Sequence, residues 1–145
     1  MIPDFEAATG YLPEGEHVAD WNEVRDRFAW NAHRVHLLSG LRRLAIALRD
    51  AGCGLFLLDG SFVTRKEFPG DFDACCDYSG MTAITLMRLR LTGSKEIMKA
   101  EYFGEVYAYA EPVPGDERYS FRMFFQRDVD DVPKGLVRLN LASVS

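Results

Sequence analysis

Cysteine is scarce in this sequence: only Cys53, Cys75 and Cys76 occur, and no C-x-x-C pair is among them. Neighbouring residues on a strand point to opposite faces, so Cys75 and Cys76 suit neither a disulfide with each other nor a shared zinc. All three read as reduced structural thiols. Long apolar runs are also missing, since no stretch approaches the roughly 20 residues that span a bilayer. The start, Met1-Ile2-Pro3-Asp4, carries neither a basic segment nor an apolar one. These absences predict a cytoplasmic protein with no membrane partner. Positive charge is not in excess either, with 17 basic against 22 acidic side chains and a net charge of -5. That balance excludes general duplex DNA binding. The local basic groups, Arg42, Arg43 and Arg49, and then Arg88, Arg90, Lys95 and Lys99, read as solvated faces. No G-x-S-x-G elbow, internal repeat or low-complexity tract is present. His33 and His36, three apart, have no third ligand at a telling distance, which leaves a metal pair there unsupported.

What the sequence does contain is enough for one core. Its 145 residues fit a single domain, and 48% of them are hydrophobic. Residues 1–19, with Pro3, Gly10, Pro13 and Gly15, show no sustained period and read as an extended N-terminal arm lying over a domain of residues 20–145. Asp20 and Glu23 resemble a capping box, and Trp21, Val24 and Phe28 recur at helical spacing, so a helix is expected from 21 to 29. Asn31 caps a longer helix whose apolar stripe is Val35, Leu37, Leu38, Leu41, Leu44, Ala45 and Leu48. Gly52 stops it. The continuous run Leu55-Phe56-Leu57-Leu58 fits a buried strand, and a neighbouring strand is expected over 71–77.

Residues 82–103 read as helical in two pieces broken near Thr92-Gly93, with Ser94 capping the second. Strands are expected at 106–110, 119–126 and 136–141. The turn clusters Pro112-Val113-Pro114-Gly115-Asp116 and 128–135 separate them, which suggests a C-terminal antiparallel meander. The class is therefore α+β.

Asp71 and Asp73 lie two apart on a predicted strand, so both carboxylates share a face while Phe72 and Ala74 take the other. Such a pair suits a hard divalent cation, because magnesium prefers carboxylate and phosphate oxygens. Upstream, the buried strand ends in Asp59-Gly60-Ser61. A glycine there lets backbone approach a phosphate, which the serine hydroxyl and following amides can bind.

Leu57-Leu58-Asp59-Gly60-Ser61, nine residues, and Asp71-Phe72-Asp73-Ala74 together resemble the signature of the DNA polymerase beta-like nucleotidyltransferase superfamily. The whole chain, from Ile2-Pro3-Asp4-Phe5 to Phe124-Phe125-Gln126 and Pro133-Lys134-Gly135, also looks like a small bacterial family of unknown function carrying that core. The resemblance implies a mixed sheet with flanking helices. It implies a nucleoside triphosphate held by Gly60 and Ser61, with Arg65 and Lys66 neutralising phosphate charge, and Mg2+ or Mn2+ on the catalytic pair Asp71 and Asp73. Nucleotidyl transfer to a protein or RNA acceptor would follow, in a toxin–antitoxin or defence pair. The superfamily also takes a third carboxylate from a later strand, and residues 119–126 hold no acid. Glu105, Glu111 and Asp128 flank the candidate strands, and no spacing selects among them. The alternative is a catalytically inactive binding or regulatory module on the same fold.

Overall fold

A computed structural model describes residues 1–113, 116–124 and 126–145. Its elements are β1 (Glu16–Ala19), α1 (Trp21–Phe28), α2 (Ala32–Asp50), β2 (Phe56–Asp59), β3 (Phe72–Cys76), α3 (Ala83–Arg88), α4 (Lys95–Tyr102), β4 (Gly104–Ala108), β5 (Pro112–Val113), β6 (Asp116–Ser120), α5 (Phe121–Phe124) and β7 (Leu136–Leu139), with short 3-10 turns at Ser61–Val63 and Leu141–Ser143. The fold is α+β: a five-stranded mixed sheet in the order β1-β7-β2-β3-β4, with helices against it and a separate two-stranded ribbon of β5 and β6.

Local chemistry accounts for most boundaries. The Asn31 side chain accepts a hydrogen bond from the Arg34 amide at 2.8 Å, which satisfies one orphan donor at the start of α2. Gly52, at φ +85°, ends that helix in the left-handed region. Along α2, Leu37, Leu41, Leu44, Ala45 and Leu48 are buried as expected, whereas Val35 is 52% exposed and leaves the stripe. Phe56, Leu58, Phe72, Ala74 and Cys76 face the helices, and Leu57, Cys75 and Leu136 build a smaller cluster on the opposite face. Alternation across the strands thus separates Cys75 from Cys76.

The expected strand neighbours are paired. β2 and β3 run antiparallel, with Leu58 opposite Ala74 and Asp59 opposite Asp73. Among the described residues, the expected meander is not found. β4 pairs parallel with β3, because the helical segment α3–α4 between them carries the chain back to the starting edge before the second strand begins. β7 lies on the other side of the sheet, antiparallel to β2 and parallel to β1. Within the segment expected as a strand over 119–126, Phe121–Phe124 is a single helical turn. Here tertiary interactions override the local alternation: Arg122 forms a two-pronged ion pair with Glu16 at 2.6 and 2.7 Å, and Phe121 stacks on Tyr107. Of the expected turn at 112–116, Pro114 and Gly115 lie outside the described residues, as does Phe125 in the Phe-Phe-Gln segment.

The N-terminal arm is more integral than its composition suggests. Glu16–Ala19 forms an edge strand of the sheet, and Ile2 and Leu12 enter the core. Gly135 receives this arm so closely that a Cβ there would lie 2.1 Å from the Pro13 carbonyl oxygen. Among the described residues, no helix is long and apolar enough to cross a membrane.

Candidate functional site

Strand alternation gathers the acids. Asp59 and Asp73 are cross-strand partners on β2 and β3, and Glu105 is the partner of Asp73 on β4. Three carboxylates therefore stand in a row on one face of the sheet, and Asp71 lies just before β3. Burial pushes the Asp73 carboxyl up to about 7, and the negative charges of Asp71, Asp59 and Glu105 add to that rise. Asp59, 1% exposed, is pushed up to about 6, again chiefly by burial, against the opposing pull of Lys134.

Two lysines offset part of this charge. The Lys99 ammonium lies 3.3 Å from Asp71 and 3.0 Å from Glu105. Burial would raise Glu105, but hydrogen bonds from Tyr107 and Lys99 outweigh it and hold the carboxyl below its ordinary value. On the other flank, Lys134 Nζ stands 3.4 Å from Asp59 Oδ1, and neither Asp59 oxygen has a hydrogen-bond donor among the described residues.

The turn after β2 requires Gly60. Its φ is +83°, and a Cβ there would lie 2.7 Å from Asp73 Oδ2 and 3.1 Å from the Asp73 amide nitrogen. The following loop is held from beneath by Arg34 of α2, a fully buried guanidinium. It donates to the carbonyls of Phe62 at 2.6 Å, Thr64 at 2.8 Å, Lys66 at 2.5 Å and Ser61 at 3.4 Å, and to Phe28 at 3.0 Å. With its carbonyls turned inward to this one cation, the loop forms one wall of a cleft of about 440 Å3 lined by Gly10, Tyr11, Ser61, Arg65, Lys66 and Lys134. The arm supplies the opposite wall: the Tyr11 hydroxyl donates to Asp128 at 2.8 Å, and the Gly10 carbonyl accepts from the Arg65 amide. Three cations and no carboxylate line this cleft, a composition suited to an anion.

The sequence-predicted residues thus divide between two adjoining features. Ser61, Arg65 and Lys66 belong to the basic cleft, Asp71 and Asp73 to the acid row, and Gly60 joins them. Sequence reasoning did not assign Asp59, Lys134, Lys99 or Arg34, and it left Glu105 unselected. The segment 119–126, where a third acid was sought, contributes none of its described residues to the five-stranded sheet. A divalent cation is compatible with the acid row, because the donors are hard oxygens and the crowded negative charge that raises Asp73 is what such an ion relieves. Among the described residues, no group of three or more His, Cys, Asp or Glu side chains forms a ready-made metal cage. Held here, an ion would need further oxygens from a bound phosphate.

The chain belongs to a family of unknown function, DUF6932, whose sequence pattern matches residues 3–140. No curated protein and no solved structure matches the chain. The family match runs from the arm through β7 and so includes every residue of the cleft and the acid row.

Proposed function

We propose that this protein is a metal-dependent nucleotidyltransferase that moves a nucleotidyl group from a nucleoside triphosphate to a protein or RNA acceptor, with a toxin–antitoxin or defence pair as its setting. The observation that carries the reading is the direct pairing of Asp73 with Glu105, one strand from the Gly60 turn and its basic cleft. In this reading Glu105 is the third carboxylate. Ser61, Arg65, Lys66 and Lys134 bind the triphosphate, Arg34 keeps the loop in shape for it, and Asp59 holds Lys134 in place. Asp71, Asp73 and Glu105 would hold Mg2+ or Mn2+, which when bound supplies positive charge against the phosphate oxygens and the leaving pyrophosphate. Lys99 must leave at least one of its two carboxylates as that ion enters.

The second reading, an inactive module, is favoured by Lys99 itself, because its ammonium already occupies the space between Asp71 and Glu105. One experiment separates the two. The purified chain is incubated with each α-labelled nucleoside triphosphate, Mg2+ or Mn2+, and cell extract. Label transfer that is lost on Asp73→Asn and on Glu105→Gln supports the enzyme. Nucleotide binding without transfer supports the module, and transfer indifferent to both substitutions rejects the site.

A further inference from the structure

The three thiols are not equivalent in the structure. Cys75 is sealed on one face of β3 with Leu57 and Leu136, whereas Cys76 points to the other face, where Cys53 packs against the same core cluster. Cys53 follows the left-handed Gly52 at the end of α2, and its amide donates to the Leu48 carbonyl at 2.9 Å. That anchor sets the loop 52–55 against the end of β3. The Leu55 carbonyl accepts from the Cys53 Sγ at 3.2 Å and from the Asp77 amide at 3.0 Å, so Cys53 stands beside the residue that follows Cys76. The Cys53 and Cys76 thiols are themselves hydrogen-bonded. Sequence alternation could exclude Cys75 with Cys76, but this second pairing arises only from the fold.

Access divides the pair. Cys76 is 0% exposed, whereas Cys53 is half-buried and lines a hollow of about 490 Å3 together with Leu55, Phe56, Arg138 and Leu139. This hollow shares no lining residue with the basic cleft. A small solute can therefore reach the first sulfur and not the second. Electrostatics make the same division. Hydrogen bonds from the Cys76 thiol and from the backbone at Leu55 and Asp77 lower the Cys53 pKa to about 7, against the opposing effects of burial and of the Asp77 charge. Burial holds Cys76 well above its ordinary value and pushes Cys75 up to about 12. At neutral pH the accessible sulfur thus carries the thiolate, and its buried neighbour keeps its proton.

We propose that Cys53 and Cys76 are a peroxide-reactive pair: hydrogen peroxide entering the hollow oxidises Cys53, and Cys76 then closes a disulfide with it. The Cys53 thiolate attacks one peroxide oxygen and the O–O bond breaks. Its electron pair leaves with the other oxygen as hydroxide, which takes up the proton that Cys53 had released and becomes water. The sulfenic acid left on Cys53 is attacked by the Cys76 sulfur. As the S–S bond forms the S–O bond breaks, and the hydroxyl departs as water with the Cys76 proton. Each sulfur loses one electron, and one peroxide is reduced to two waters. The Tyr78 hydroxyl, buried beside the pair without a hydrogen-bond partner among the described residues, is a free donor for the departing oxygen.

The test treats the full, reduced wild-type chain with a small molar excess of hydrogen peroxide, blocks the remaining thiols by alkylation, and reads masses without reduction. The chain should lose the mass of two hydrogens and remain a monomer. Trypsin should release residues 50–65 cross-linked to residues 67–88, with fragmentation placing the bond on Cys76 and leaving Cys75 alkylated. In concentrated urea the preference for Cys76 over Cys75 should disappear, because only the fold distinguishes them. Cys76→Ala should stop at a sulfenic acid on Cys53 that dimedone traps, and Cys53→Ala should slow peroxide consumption at least about tenfold. A bond to Cys75, a bond between two chains, or the same preference in urea would overturn the pairing. Thiols that all survive the treatment, or that oxidise at equal rates in the folded chain, would overturn the reactivity of Cys53.

Discussion

Arg34 should be the single most costly side chain to replace in the loop that forms the basic cleft. Its guanidinium, 0% exposed, serves the carbonyls of Phe28, Ser61, Phe62, Thr64 and Lys66, and its Cζ lies 3.6 Å from the Trp30 ring centroid. Burial lowers its pKa to about 10, so the group is still charged at neutral pH. Arg34→Met fills similar space but strips these carbonyls of their donor. Breaking a buried charge network of this kind typically costs about 3–5 kcal/mol, since the desolvation already spent on the site is not recovered by the orphaned acceptors. For a domain of this length a kcal/mol is about 3 °C in Tm, so a fall of about 10–15 °C is expected in calorimetry. Arg34→Lys keeps the charge without the planar fork and should recover less than half of it. If Arg34→Met lowers Tm by less than about 3 °C, the guanidinium does not organise residues 61–66 and the account of the cleft wall fails.

Gly60→Ala meets both a left-handed φ and the Asp73 carboxylate at 2.7 Å, and should destabilise by about 2–4 kcal/mol in urea titration while leaving the slope m unchanged. Asp73 has a folded pKa of about 7, above its unfolded value of 3.8, so the native state holds this proton more tightly; its contribution is fully present below about pH 4 and is lost as pH rises to about 7. Asp73→Asn should therefore be more stable than wild type by up to about 4 kcal/mol at pH 8, and the gap should close by pH 4; a pH-independent gap would contradict the crowding of acids. Lys134→Met should weaken binding of inorganic triphosphate at least about tenfold, measured by calorimetry, and should destabilise the fold because Asp59 is left buried without its cation. Adding Asp59→Asn to Lys134→Met should restore stability but not triphosphate binding, a coupling that a double-mutant cycle reads directly.

Local pattern carried the central pair of the sheet, β2 and β3, and lost both flanks. The stripe on α2, its Asn31 cap, the run at 55–58 and the pairing of β2 with β3 were all legible because each depends on near neighbours in sequence or on a single connection. The C-terminal strands were not, for a reason that lies in the connections. Between β3 and β4 the chain passes through two helices, and a crossover of that length returns the next strand parallel, whereas short turns alone suggest a meander. The alternation of residues 119–124 looks like a strand, yet the four-residue turn there is fixed by Glu16, more than 100 residues away in sequence.

The candidate site failed to read through at the same connection. The Gly60-Ser61 to Asp71 spacing is visible because one loop sets it, but Glu105 reaches Asp73 only through register across a parallel pair. Register across a crossover has no fixed sequence interval, so no spacing rule could have chosen Glu105 over Glu111 or Asp128. Direction could have done so. With β4 parallel to β3, an acid near the start of β4 faces one near the start of β3, which selects Glu105 and sets Glu111, beyond the strand's end, away from it. Arg34 was hidden differently, by a charge that composition assigns to solvent. Its place three residues after the Asn31 cap puts it in the first helical turn, where a long side chain can reach back over the helix start to carbonyls of the loop it supports.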